Sequence, residues 1–180
     1  MSGTDAIDGV VVVQPRFFAD DRGRFAETYR RSWFPLGREM VQANVSEKQA
    51  GAVVGIHYHL HQADYWFVPR GLARVVLVDL RAGSPTEHAV DVFDMGDGAE
   101  VGAFIPPGVG HGFAALTDLT ITYLVDQYYN PDDENGVAWD DPTLAVDWGV
   151  ADPVVSARDR QNPRVSDIAP DRRPVFGLRT

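Results

Sequence analysis

Glycine and proline interrupt this chain along its whole length. With 17 glycines and 12 prolines in 180 residues, few stretches can hold a helix of ordinary length. Between the breaks lie short runs rich in β-branched and aromatic residues. They predict strands over residues 40–45, 52–61, 64–69, 73–81, 86–94, 100–105, 112–116 and 119–129, with the valines at 10–13 as a strand-like start. One short helix is expected within 31–39, limited by Pro35. From Asn130 onward Pro, Asp and Asn are dense, which predicts an ordered but loop-rich C-terminal tail. Many short strands at such spacing make an all-β sandwich or barrel. No internal repeat and no low-complexity linker divides residues 1–180, so one domain is expected.

Bulk properties narrow the partners. The formal charge of −10 argues against general nucleic-acid binding, which needs a basic face. There is no cysteine, which excludes disulfides, thiolate nucleophiles and cysteine-bound zinc. No apolar run approaches the roughly 18 residues of a membrane helix. The start, Met-Ser-Gly-Thr-Asp-Ala-Ile-Asp, lacks the basic and apolar regions of a signal peptide. The expectation is a cytoplasmic protein with neither nucleic-acid nor membrane partner.

The segment 52–61 is the most informative. If its side chains alternate faces, Val53, Gly55, His57, His59 and His61 share one side, and Val54, Ile56, Tyr58 and Leu60 the other. An exposed edge strand tolerates wet histidines. Three of the chain's five on one face argue instead for a ligand cavity inside the barrel.

The motifs around this strand are specific as a set. They are Phe18-Ala-Asp-Asp-Arg22-Gly-Arg-Phe-Ala-Glu27, Gln42-Ala-Asn44-Val-Ser46, Gly55-Ile-His57-Tyr, Val78-Asp-Leu-Arg-Ala-Gly-Ser84-Pro-Thr86 and Ile105-Pro-Pro-Gly-Val-Gly-His111-Gly-Phe113. Tyr123, Tyr128-Tyr-Asn-Pro131, Trp139-Asp-Asp-Pro142 and Ser156-Ala-Arg-Asp159 follow. In this order the chain resembles the dTDP-4-dehydrorhamnose 3,5-epimerases, from about Phe17 to Pro163.

The resemblance implies a cupin jelly-roll barrel with a few short helices, paired as a homodimer. It also implies an isomerase of deoxysugar biosynthesis acting on a dTDP-linked 4-keto-6-deoxyhexose at C3 and/or C5, with no cofactor. The ketone acidifies the flanking hydrogens, so a base, an enolate and an acid on the opposite face suffice. By family position His57 is the base, Asp159 the carboxylate that orients it and Tyr123 the acid. An imidazole titrates near neutrality, which suits proton abstraction. Arg22 and Arg158 match diphosphate contacts, for which a guanidinium is suited. Arg158 stands where a lysine is more usual. Phe18, Glu27, Gln42, Asn44, His59, Asp64, His111, Tyr128 and Trp139 match positions around the nucleotide and sugar, some of them reaching across the dimer.

Two departures matter. Val54 stands where the family has a phosphate-binding arginine, and Asp64 aligns with a family lysine that faces the developing enolate oxygen. Losing one such donor costs about 2.7–4 kcal/mol. Two compensations are open: a donor from His59 or His61, or an Asp64 that stays protonated in a dry pocket. A second reading is a metal-dependent cupin enzyme acting on a sugar or another small molecule. His57-Tyr-His59, Asp64, Gly71 and Pro106-Pro-Gly108-Val-Gly-His111 follow metal-cupin spacing, so His57, His59, Asp64 and His111 would hold one divalent transition metal. A third is a non-catalytic binder of a nucleotide sugar, which has no need of a base and an acid on opposite faces.

Overall fold

The computed structural model of the protein describes residues 6–34 and 38–177. Thirteen strands account for its regular structure: β1 (Val11–Val13), β2 (Phe17–Asp20), β3 (Gly23–Ala26), β4 (Gln42–Lys48), β5 (Ala52–Tyr58), β6 (Asp64–Arg70), β7 (Leu72–Asp79), β8 (Val90–Gly96), β9 (Gly102–Ile105), β10 (Val109–Ala115), β11 (Leu119–Val125), β12 (Asn135–Gly136) and β13 (Val154–Val155). One antiparallel sheet runs β1-β9-β6-β11-β4. The other runs β12-β5-β10-β7-β8, with β13 added parallel to β5. Strands β2 and β3 form a separate hairpin. Among the described residues no helix is long and apolar enough to cross a membrane.

The two sheets face each other as a jelly-roll sandwich. Between them lies a core of Trp66, Val68, Ile105, Leu119 and Ile121 from one sheet against Val75, Leu77, Met95, Val109 and Phe113 from the other. Both outer faces are also covered in part, with Val45 of β4 left exposed. Phe34, Tyr29 and Trp33 pack over Tyr65, Phe67 and Phe104. The tail, through Val137, Leu144, Trp148 and Val155, packs over Val53, Ile56, Tyr58, Val76 and Val78. Burial on both faces explains why β10 reads Val-Gly-His-Gly-Phe-Ala-Ala without polar alternation: all seven residues are buried. The tail is loop-rich as expected, with two-residue strands and short 3-10 turns.

Each expected strand has a counterpart, with shifts that have causes. Residues 86–94 are realised as 90–96 because the buried Asp79 carboxylate gathers Arg81, Ser84 and Thr86 and holds the chain in a turn. The strand expected over 52–61 stops at Tyr58. The Asp133 carboxylate, from the tail, accepts the backbone N–H groups of Leu60, His61 and Gln62 at 2.7, 3.1 and 3.3 Å. In 31–39 the structure has a 3-10 turn at Arg31–Trp33, and residues 35–37 lie outside the described residues. The hairpin β2–β3 is not foreseen by strand propensity.

The strict alternation expected in 52–61 is corrected at Gly55. His111 pairs with His57 but Phe113 with Val54, so β5 carries one extra residue there. The phase slips: Val54 joins His57 and His59 on the cavity side, while Val53 packs with Ile56 and Tyr58 outside. Only glycine fits the bulge. Gly55 has φ +110°, and a Cβ there would lie 2.7 Å from Gly112 Cα.

Candidate active site

Alternate residues of four strands line one cavity of about 250 Å³ between the sheets. Strand β4 contributes Ser46 and Lys48, β6 Asp64 and Trp66, β10 His111 and Phe113, and β11 Ile121 and Tyr123. Val54 and His57 enter from β5 because of the bulge. His59 and Gln62 follow from the turn after β5, and Glu134 and Arg158 close one side from the tail.

His57 Nε2 meets Asp159 Oδ1 at 2.6 Å. The pair is 102 residues apart in the chain. A 3-10 turn, Asp159–Gln161, sets the carboxylate, and the Asp159 N–H is anchored on Ser156 Oγ at 3.0 Å. Gly55 N–H, in the bulge, donates to Asp159 Oδ2 at 3.4 Å. Burial alone would raise the Asp159 pKa. The hydrogen bond and charge of His57, with Gly55 and Ser156, outweigh it and hold the carboxyl below its ordinary range. Asp159 therefore remains a carboxylate that fixes the ring of His57, and Nδ1 is left without a hydrogen-bond partner among the described residues.

Tyr123 opens on the same cavity from the opposite sheet. Burial, then the carboxylates of Asp64 and Glu134, raise its pKa, so the phenol keeps its proton. His111 is buried with Nδ1 donating to the Val109 carbonyl at 3.0 Å, and burial is the main cause that draws its pKa down to about 4. His59 donates from Nδ1 to the Asp133 carbonyl at 2.9 Å. Its ring is 5.2 Å from that of His111.

The expected site residues divide. His57, His59, Asp64, His111, Tyr123, Arg158 and Asp159 come together. Gln42 and Asn44 share the inward face of β4 with Ser46 and Lys48 and bond each other at 2.9 Å, beyond the cavity lining. Phe18, Arg22 and Glu27 lie on or beside the β2–β3 hairpin and do not line this cavity; Arg22 is paired with Asp20 and Glu27 with Arg30. Tyr128 is 74% exposed. Trp139 packs against the tail core and its carbonyl accepts from Trp148 Nε1 at 3.0 Å. His61 lies at a different surface groove, with Arg38 and Pro106.

The four-residue metal set is also corrected. Only His59, Asp64 and His111 gather their ligand atoms, because His57 is drawn to Asp159. The sequence reading missed Lys48, Gln62, Trp66 and Glu134. Lys48 carried a signal, being the only lysine in the chain and in phase with Gln42 and Asn44. Glu134 carried none.

A family profile described as dTDP-4-dehydrorhamnose 3,5-epimerase matches residues 4–167. The chain belongs to this family. Within it, the spore coat polysaccharide biosynthesis protein SpsL of Bacillus subtilis (strain 168) is 43% identical over 146 residues, 79% of this chain and 96% of that protein. The dTDP-4-dehydrorhamnose 3-epimerase of Streptomyces niveus is 38% identical over 162 residues, 86% of this chain and 78% of that one. Among solved structures, NovW, a 4-keto-6-deoxy sugar epimerase from the novobiocin biosynthetic gene cluster of Streptomyces spheroides, superposes with TM-score 0.90. It is 34% identical over 97% of this chain and 92% of that one. The cupin-like jelly roll of the dTDP-4-dehydrorhamnose 3,5-epimerase family is thus the fold of this chain.

Proposed function

We propose that this protein epimerises a dTDP-4-keto-6-deoxyhexose at one or both carbons flanking the ketone. The observation that carries the reading is His57, held on Asp159 at 2.6 Å, which opens with protonated Tyr123 onto one cavity between the sheets. His57 Nδ1 takes the proton from C3 or C5. The C–H electron pair becomes the enolate double bond and the charge moves to the C4 oxygen. Asp159 favours the imidazolium that results. Tyr123 then returns a proton from the opposite face, inverting the carbon, and both side chains re-equilibrate with solvent. Relatives named for action at a single carbon, the Streptomyces niveus 3-epimerase and the 3'-monoepimerase ChmJ of Streptomyces bikiniensis, support one-site action as a form of this reading.

The test is NMR of dTDP-4-keto-6-deoxyglucose incubated with the protein in deuterated water. Deuterium entering at C3, C5 or both is expected and names the carbons. Tight binding with no exchange would leave a nucleotide-sugar binder and end the epimerase reading.

The reading extends to a cytoplasmic homodimer in which Phe18, Arg22 and Glu27 act at the partner's cavity. The hairpin that carries them exposes Phe18 by 51% and Phe25 by 65%, apolar area suited to burial against a second copy. Sedimentation equilibrium is expected to give twice the chain mass. A monomer at working concentration would remove these three residues from the site.

A further inference from the structure

We propose that His59, Asp64 and His111 form a binding site for one divalent first-row transition-metal ion. The three residues are 6%, 4% and 5% exposed, and one ligand atom of each lies within 4.8 Å of the others. In a tetrahedral site with bonds of about 2.1 Å, ligand atoms stand roughly 3.4 Å apart. Small side-chain rotations close that gap.

The two imidazoles are oriented as ligands. His59 Nδ1 donates to the Asp133 carbonyl and His111 Nδ1 to the Val109 carbonyl, at 2.9 and 3.0 Å. Each bond keeps the proton on Nδ1 and leaves Nε2 with its lone pair. An outer hydrogen bond of this kind is what holds metal-bound histidines. His59 Nε2 lies 3.9 Å from Asp64 Oδ1. The carboxylate is aimed by neutral donors, Gln62 Nε2 on Oδ1 at 2.8 Å and Trp66 Nε1 on Oδ2 at 3.0 Å.

A charge is missing beside Asp64. Among the described residues no arginine or lysine pairs with it, and a cation or a metal is what stabilises a buried carboxylate most strongly. The cavity's two fixed cations are engaged elsewhere. Lys48 bonds Ser46 Oγ at 2.6 Å and Arg158 pairs with Glu134 at 3.2 Å. In register, Lys48 sits opposite Leu119 and Asp64 opposite Val125. Six residues of strand separate their backbones by about 20 Å. Two imidazoles and one carboxylate leave coordination positions open toward the cavity of His57 and Tyr123. There the ion would act as the Lewis acid that meets the enolate oxygen. That role rests on the epimerase reading; the site itself does not. His57 stays free as a base because it is not a ligand.

The full chain, stripped with chelator, is titrated with Co²⁺ while the visible absorption of the bound ion is followed. Saturation at about one ion per chain, with displacement by Zn²⁺, is expected. Asp64→Asn should weaken binding by roughly tenfold to a hundredfold, a range typical even for lost outer-shell contacts. His111→Ala should abolish it, and if that variant misfolds by circular dichroism, Asp64→Asn decides. No uptake by the wild-type chain, or uptake undiminished in Asp64→Asn, overturns the site. Deuterium exchange separates the two claims. Exchange that falls on stripping and returns with metal supports both. Full exchange in the stripped chain overturns the ion's role and leaves the epimerase reading standing. Bound metal without exchange in any form overturns the epimerase reading and leaves the site.

Discussion

His57→Asn is expected to lower the rate of substrate deuteration by roughly 10²–10⁴-fold, the usual contribution of a positioned general base. Asparagine is the informative replacement. Its amide cannot take a proton and, being shorter than the ring, falls short of Asp159 Oδ1, while the carboxylate keeps the N–H of Gly55 at 3.4 Å. The ring lines a cavity rather than filling the core, and its side chain is 18% exposed. The thermal midpoint should therefore stay close to that of the wild type. Tyr123→Phe should behave differently. With the base intact and the opposite acid gone, deuterium can enter from the face of His57 while inversion is lost. Near-normal epimerisation by His57→Asn would sink the assignment of the base. Equal loss of exchange in both variants would sink the division of labour between the two faces.

Asp79→Ala should destabilise the fold by about 3–5 kcal/mol, the scale for breaking a buried ion pair from one side. Asp79 is fully buried, and its two oxygens accept from Arg81 Nε and Nη2, both at 2.8 Å, and from Ser84 and Thr86. Removing the carboxylate strands the Arg81 guanidinium, which is itself 6% exposed. The turn between β7 and β8 loses its organiser at the same time. Urea unfolding measures the effect; a change below about 1 kcal/mol would show that surrounding water or the Asp8 carbonyl compensates.

The same group sets an acid limit. Burial alone would raise its pKa, but Arg81, Ser84 and Thr86 outweigh that and lower it from 3.8 to about 2. A carboxylate with a depressed folded-state pKa stabilises above its unfolded value, and that contribution is lost as pH falls through the folded one. Stability of the wild-type chain should fall between about pH 4 and pH 2, and the slope should flatten in Asp79→Ala.

What the sequence determined by itself is local. Turn residues at short spacing and β-branched runs between them dictated an all-β chain, since both act through the dihedral preferences of single residues. The same alternation that marks Gln42 and Asn44 on one face of β4 also marks Ser46 and Lys48. The motif order, read as a resemblance, pointed to His57, Tyr123 and Asp159; the fold brings His57 and Tyr123 to one cavity and Asp159 behind His57.

The tertiary structure decided the rest, because it depends on groups far apart in the chain. The phase of β5 follows from the bulge at Gly55, forced by the approach of Gly112. Its end at Tyr58 follows from Asp133, more than seventy residues away. These two long-range contacts turn His61 away and leave His57 and His59 facing inward. Asp159 then claims His57, so of the four residues that spacing alone assembled only His59, Asp64 and His111 bring their side-chain donor atoms together. Spacing along a strand reports which side chains can share a face. Which of them meet is settled by the partners that compete for each one.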